Sequence, residues 1–284
     1  MVKIICETGY CSGVNKAINK LSKAAKESNK VFLLHPLLHN IDENDKLMKE
    51  NNASYLEDSS DYEDNSSLLF SAHGYRFSDY EKYKDKLKLF YGTCPIILAR
   101  YKLLEKNNND YYYIFLGKGN HEETMCFIDN FPFLHLIDTN LDLNEQIKKL
   151  KVKNKKIFFI PQTTISNLKK EECLSILEKD NDVIKKLDIC LSYYNRIKEI
   201  DTFLSKVNKV SILLIIGDKL SSNANEIFNF VKNKYPDIEV YIENSFERIK
   251  EIDIKNKDIF LTSATSTSKE NVLLIKKQIE NYLL

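Results

Sequence analysis

No Cys-x-x-Cys pair occurs anywhere in the 284 residues, although the chain contains six cysteines. That excludes zinc-finger, zinc-ribbon and thioredoxin-type sites, which are built on such pairs. Six cysteines are also too sparse for a disulfide scaffold in a chain this long, which points to a reducing, cytoplasmic location. No apolar run approaches the roughly 20 residues that a membrane span requires. The longest, 210–216, has the length of a buried strand. The opening Met1-Val2-Lys3-Ile4-Ile5 does not read as a signal peptide. Neither sign of charge is in excess: the net charge is +1, so bulk electrostatics favour neither nucleic acid nor a membrane surface. Arginine is scarce, confined to Arg76, Arg100, Arg196 and Arg248, which weakens any picture of phosphate gripped by bidentate guanidinium groups. Gly/Ser/Pro-rich linkers and low-complexity tails are missing, so domain borders are tight.

What is present suits a soluble protein with a real core: 43% apolar and 29% charged residues, in a length sufficient for two or three domains. Short β-rich apolar runs at 3–5, 31–35, 68–71, 89–91, 112–116, 133–137, 157–160, 210–216, 239–242 and 259–261 read as strands. Between them, apolar residues recur at three- and four-residue steps over 14–25, 191–207, 224–234 and 269–282, which predicts helices. Repeated βα alternation predicts an α/β architecture with parallel sheets.

Three cysteines stand about a third of the chain apart. Cys11, Cys94 and Cys190 are separated by 83 and 96 residues, and the first two lie among Gly, Thr and Pro at element junctions. Backbone N–H groups in such junctions stabilise thiolate or sulfide. Three thiolates from three similar segments can hold a metal centre that keeps one position open, as catalysis needs. Spacing alone does not choose iron–sulfur over zinc. Cys6, Cys126 and Cys173 read as buried small hydrophobes. The spacing predicts three segments, 1–94 with Cys11, Cys94, His39 and His73, 95–192 with His121, Glu123, Thr163 and Cys190, and 193–284 with Ser221, Asn223 and Ser266. The C-terminal helix is expected to pack back on the first.

The polar motifs fall just after strands, where open α/β sheets bind ligands. Six of them, from three segments, are expected to converge on one cavity. His39, His73 and His121 sit in such contexts, whereas His35 and His135 lie in apolar strand patterns and read as structural. Glu123 follows His121 by two residues; as a general acid it needs burial to raise its pKa. Ser221-Ser222-Asn223 opens a helix, as does Thr262 to Ser268 before the last one. Ser and Asn there are ordinary N-caps, and the same free N–H groups are an anion site.

Together these motifs resemble the LytB/IspH family of 4-hydroxy-3-methylbut-2-enyl diphosphate reductases, from Gly9 to about Ser268. The family's RGFCAGVxRAI is matched by Thr8-Gly9-Tyr10-Cys11-Ser12-Gly13-Val14-Asn15-Lys16-Ala17-Ile18. VVHN appears as Leu37-Leu38-His39-Asn40, and SAHG is intact at 71–74. DATCP appears as Tyr91-Gly92-Thr93-Cys94-Pro95, and HPEV as His121-Glu122-Glu123-Thr124. QTT is intact at 162–164. Asp188-Ile189-Cys190 is followed by Asn195-Arg196. SSNSN appears as Ser221-Ser222-Asn223-Ala224-Asn225, and TAGAS as Thr262-Ser263-Ala264-Thr265-Ser266.

The resemblance implies three similar α/β lobes with parallel sheets, arranged pseudo-threefold around a central 4Fe–4S cluster. Cys11, Cys94 and Cys190 would hold three irons, leaving one iron not held by cysteine. His39, His73, Ser221, Ser222, Asn223 and Ser266 would line the substrate pocket, with His121 and Thr163 nearby. Glu123 would be the proton source, working with Thr163 and His121. The implied reaction is two-electron reductive dehydroxylation of an allylic diphosphate to isopentenyl and dimethylallyl diphosphate, the last step of the non-mevalonate isoprenoid pathway, with ferredoxin or flavodoxin as electron donor. Thr8, Tyr91, Glu122 and Ala264 depart from the family's Arg, Asp, Pro and Gly. They leave two alternatives open: a divergent paralogue acting on another small allylic or phosphorylated alcohol, and a non-catalytic iron–sulfur sensor.

Overall fold

The structure is a computed structural model that describes residues 1–38, 40–57, 62, 64–107, 109–207 and 211–284. The first stretch of elements is β1 (Val2–Ile4), α1 (Ser12–Glu27), β2 (Lys30–Leu33), α2 (Ile41–Glu50), β3 (Ala53–Tyr55), β4 (Ser66–Phe70), α3 (Phe77–Tyr83), β5 (Lys88–Tyr91) and α4 (Pro95–Leu104). Next come β6 (Tyr112–Gly117), α5 (Glu122–Asn130), β7 (His135–Asp138), α6 (Leu143–Leu150), β8 (Lys156–Pro161), α7 (Asn167–Leu177), β9 (Asp182–Ile184) and α8 (Leu191–Leu204). The chain ends with β10 (Ser211–Ile216), α9 (Ser222–Lys234), β11 (Ile238–Glu243), α10 (Phe246–Ile249), β12 (Asp258–Ser263) and α11 (Lys269–Leu283).

All strand pairs are parallel, in three four-stranded sheets ordered β1-β12-β10-β11, β3-β2-β4-β5 and β7-β6-β8-β9. These are one topology used three times. In each, the first of three successive strands pairs with the second on one side and the third on the other, and the third then takes a fourth. In the sheet of β10, β11 and β12 the fourth strand is β1, from the other end of the chain. The expected α/β class with parallel sheets is what the chain adopts.

The chain divides into two compact units, 1–18 with 36–52 and 191–284, and 19–35 with 53–190. The first unit holds the sheet containing β10. Along β10, Ile212, Leu214 and Ile216 join one apolar cluster with Val272, Ile275 and Ile279 of α11, and Leu213 and Ile215 join the other with Ile227 and Val231 of α9. Strand side chains alternate between faces, and both faces are covered, so β10 is apolar throughout rather than alternating. Each such side chain contributes roughly 1.5–3 kcal/mol of burial. Helix α11 lies against β1 and β12.

The second unit holds the other two sheets. Tyr113, Phe115, Phe158 and Ile160 of β6 and β8 pack on Ile97, Tyr101 and Leu104 of α4 and on Cys126 and Phe127 of α5. Phe32, Leu68 and Phe70 of β2 and β4 pack on Tyr83 and Leu87. Ten strands coincide with the expected runs to within a few residues; Val210, expected to start β10, lies outside the described residues. The two strands that periodicity did not reveal are the three-residue edges β3 and β9, which pair on one side only. Helix starts follow capping chemistry: Asn40, Asp142, Ser166, Ser221 and Ser268 each accept a backbone N–H three residues on.

Candidate active site

The repeated topology carries the three spaced cysteines at equivalent positions. Third strands end at Phe70, Pro161 and Ser263. The carbonyl two residues beyond each end accepts the N–H of one cysteine: Ala72 from Cys94 at 3.1 Å, Thr163 from Cys190 at 2.8 Å and Thr265 from Cys11 at 3.0 Å. Each cysteine then immediately precedes a helix, α4, α8 and α1 respectively. Each side chain therefore sits at the positive end of a helix dipole. All three side chains are half-buried. The other cysteines differ. Burial pushes the Cys126 and Cys173 thiols up to about 12, and Cys6, half-buried, is also raised by burial, with its Sγ 2.9 Å from the Thr262 hydroxyl.

In the second unit the loops after β6 and β8 bring Glu123 and Thr163 together. Glu123 is 1% exposed and Thr163 9%. The Thr163 N–H donates to Glu123 Oε1 at 2.8 Å and its hydroxyl to Oε2 at 2.5 Å. His121 caps α5, its Nδ1 accepting the Glu123 N–H at 3.1 Å, so a neutral ring carries its proton on Nε2. The His73 ring meets His121 edge-on, with centroids 5.2 Å apart. Burial raises the Glu123 pKa, opposed by the Arg100 guanidinium 3.7 Å away and by both Thr163 hydrogen bonds. Removing the carboxylate from water outweighs one cation at that distance. A buried acid with a raised pKa can hold a proton for transfer.

In the first unit the loops after β10 and β12 meet. Ser221 caps α9 by accepting the Ala224 N–H, and Ser222 and Asn223 form its first turn; all three are buried. Asn223 Oδ1 accepts the Thr265 N–H at 2.9 Å, while Nδ2 is buried with no partner among the described residues. Ser266 is half-buried in the same loop. His39 lies outside the described residues. The neighbouring Asn40 is buried and caps α2.

Three of the departures from the expected motifs, Ala264, Glu122 and Tyr91, have defined local contacts, and nothing in the structure explains Thr8. Ala264 is fully buried, its N–H bonded to the Ile216 carbonyl, and it is not among the positive-φ residues. Its methyl occupies the space above Gly217, where a second Cβ would approach to 2.9 Å. Glu122 places Oε2 3.2 Å from His35 Nε2. Tyr91 packs on Phe70 and Tyr75.

Sequence reasoning missed three residues. Glu43 accepts the Tyr10 hydroxyl at 2.8 Å and the Ser268 N–H and hydroxyl at 3.2 and 3.0 Å. Arg100 and Arg196 are 2% and 7% exposed, and both donate to backbone carbonyls. A signal for these two existed: each stands six residues after a spaced cysteine.

Among the described residues no three His, Cys, Asp or Glu side chains lie close enough to hold a single metal ion, and no helix is long and apolar enough to cross a membrane. The donor chemistry still fits an anionic iron–sulfur group, whose thiolates attach to different irons. The buried Arg100 guanidinium lies 3.7 Å from the Glu123 carboxylate, and the buried Arg196 makes no salt bridge among the described residues. A buried cation such as Arg196 is costly without an opposing charge. Two buried donors, Arg100 Nε and Asn223 Nδ2, also lack acceptors among the described residues.

Comparison with known proteins places this arrangement. The model of the LytB protein family matches residues 2–280. A 4-hydroxy-3-methylbut-2-enyl diphosphate reductase of Buchnera aphidicola subsp. Schizaphis graminum is 31% identical over 91% of this chain and 83% of its own length. The Fusobacterium nucleatum reductase is 28% identical over 95% of this chain, which spans 33% of that longer protein. Among solved structures, the E-1-hydroxy-2-methyl-but-2-enyl-4-diphosphate reductase of Plasmodium falciparum superposes with a TM-score of 0.83 at 25% identity, over 100% of this chain and 87% of the other. With the family model covering nearly every residue, the chain belongs to the LytB protein family.

Proposed function

We propose that this chain is a 4Fe–4S-dependent reductase that converts 4-hydroxy-3-methylbut-2-enyl diphosphate to isopentenyl and dimethylallyl diphosphate. The observation that carries the reading is the set of three cysteines at equivalent helix starts, each with its N–H on the equivalent carbonyl. In this reading Cys11, Cys94 and Cys190 hold three irons; of the three segments divided at about 94 and 192, the first supplies Cys11 and Cys94, the second Cys190, and the third Ser221, Asn223 and Ser266. When bound, the cluster supplies two electrons, one at a time, and a Lewis-acidic iron for the substrate's hydroxyl oxygen.

The rest is done by side chains. The balance is one C–O bond broken and one C–H bond formed, with two electrons and two protons consumed and one water released. Glu123 is the proton source for the departing oxygen, its carboxyl pKa raised by burial. Thr163 holds that carboxyl in one orientation through two hydrogen bonds. Ser221, Ser222, Asn223 and Ser266 take the diphosphate at the start of α9, where Asn223 Nδ2 is a buried donor awaiting an acceptor. His39, His73 and His121 complete the polar lining. The electrons come from a one-electron carrier of the ferredoxin or flavodoxin class, in a reducing compartment.

The test is anaerobic turnover of the hydroxybutenyl diphosphate with a reduced viologen, on protein whose iron and sulfide have been counted. Formation of the two five-carbon diphosphates is expected. A filled cluster with no turnover refutes the substrate assignment.

A further inference from the structure

Arg100 and Arg196 are two copies of one device. Arg100, on the helix that Cys94 starts, donates through Nη1 to the Pro161 carbonyl and through Nη2 to the Asp188 carbonyl. Arg196, on the helix that Cys190 starts, donates through Nη1 to the Ser263 carbonyl at 2.9 Å and through Nη2 to the Gly9 carbonyl at 3.2 Å. The two sets of partners correspond one to one. Pro161 and Ser263 each end a third strand. Asp188 and Gly9 each lie two residues before a cysteine, Cys190 and Cys11. Both arginines stand six residues beyond the preceding cysteine.

We infer that these two guanidinium groups are positioning residues for the next cysteine in each case, Arg100 for Cys190 and Arg196 for Cys11. The inference rests on the proposed cluster-ligand role of the cysteines. The equivalent position after Cys11 is Ala17, buried at 1% exposure, and the reason is loop length. Cys94 follows its strand end, Tyr91, by three positions, and the β4–β5 ladder runs on to it through Gly92 N–H to Phe70 O and Cys94 N–H to Ala72 O. Cys190 and Cys11 make the equivalent bond to Thr163 O and Thr265 O, but Cys190 follows Ile184 by six positions and Cys11 follows Ile4 by seven, a longer stretch between strand and cysteine. A buried guanidinium presents a rigid fork that bridges two carbonyls from separate segments, and a lysine ammonium does not. Half of the scarce arginine is thus used to brace the two longer loops, at the carbonyl two residues before each cysteine.

The test uses Arg100→Lys and Arg196→Lys, which keep charge and approximate volume, with Arg76→Lys as control. Arg76 pairs with Asp129, and the thiol near it is Cys126, not one of the three spaced cysteines. Iron release from the anaerobic holoprotein to excess chelator is expected to accelerate by about tenfold in the first two, the scale on which supporting residues act on metal sites, and to stay unchanged in the control. Site-resolved alkylation of cluster-free protein gives a second readout that global destabilisation does not mimic. Arg100→Lys should speed labelling of Cys190 and spare Cys11, and Arg196→Lys the reverse. Iron release within twofold of wild type, or labelling that rises equally at both cysteines, overturns the inference. A wild-type chain that takes up no iron and sulfide overturns the cluster reading itself, an outcome visible in the wild-type iron count alone.

Discussion

Glu123→Gln isolates the proton from the shape. The amide keeps an oxygen for the Thr163 N–H now at 2.8 Å, and the Thr163 hydroxyl can turn to accept from the new NH2 in place of donating at 2.5 Å. Arg100 loses a charged neighbour at 3.7 Å but keeps both carbonyls. The fold and the iron content are therefore expected to survive, while turnover falls by ~10²–10⁴-fold, the usual contribution of a positioned general acid. The pH dependence has a definite sign. The wild-type carboxyl has its folded pKa raised, so activity that needs the protonated form is lost as pH rises through that value. Stability moves the same way. Below the unfolded pKa, about 4.3, both states are protonated and Glu123 adds no pH dependence. Between the unfolded and folded pKa values the folded state binds more protons than the unfolded. There wild type loses about 1.4 kcal/mol for each rise of one in pH, until the folded pKa is passed. The Gln variant should lack that slope, so its stability relative to wild type grows with pH. Anaerobic rates and urea titrations across pH 4 to 9 measure both effects. Turnover of Glu123→Gln within tenfold of wild type, with a filled cluster, refutes the assignment and leaves the substrate's own diphosphate as the proton donor.

Replacing Cys11, Cys94 or Cys190 by Ser should each abolish stable cluster binding, measured as iron per chain after desalting. Cys173→Ala should keep the iron and cost about 1 kcal/mol or more of stability as a small core truncation. Asn223→Ala removes the buried Nδ2 donor and the Oδ1 bond to Thr265. It should weaken substrate binding by ~10–100-fold, the scale of a hydrogen bond to a charged group, read as a raised KM or Kd for the diphosphate with iron content unchanged. Gly217→Ala would bring a methyl to 2.9 Å from the Ala264 Cβ and should destabilise by ~1–3 kcal/mol as overpacking, whereas the double variant with Ala264→Gly should recover most of that in a denaturant titration.

Much of this was legible in the chain. The apolar run of β10 announced a strand covered on both faces, because burial on two sides removes the need for alternation. Ser221 and Ser268 announced helix starts, because a hydroxyl that bonds a backbone N–H does so locally. The wide, even spacing of Cys11, Cys94 and Cys190 announced a threefold repetition that sequence similarity between segments does not show. These are short-range effects or simple periodicities, and residues near in sequence carry them.

Other features are decided by partners distant in sequence. The edge strands β3 and β9 exist because one neighbour pairs with them, not because three residues prefer the conformation. Strand β1 completes the sheet of β10 from the far end of the chain, a closure that no linear division into segments reveals. Glu123 looked like any solvated carboxylate; its pKa is raised because distant segments exclude water from it, against the two hydrogen bonds that Thr163, forty residues on, donates to the carboxyl. Arg100 and Arg196 looked like two of a few scattered cations. Only the folded chain brings each to the carbonyl two residues before a cysteine, 88 and 187 positions away. The sequence by itself determined which segments form strands and helices and which residue types are available for chemistry. The tertiary structure decided which of those residues are dry, because burial is a property of the neighbours that distant segments provide, and dryness is what turns a carboxyl into an acid and a guanidinium into a clasp.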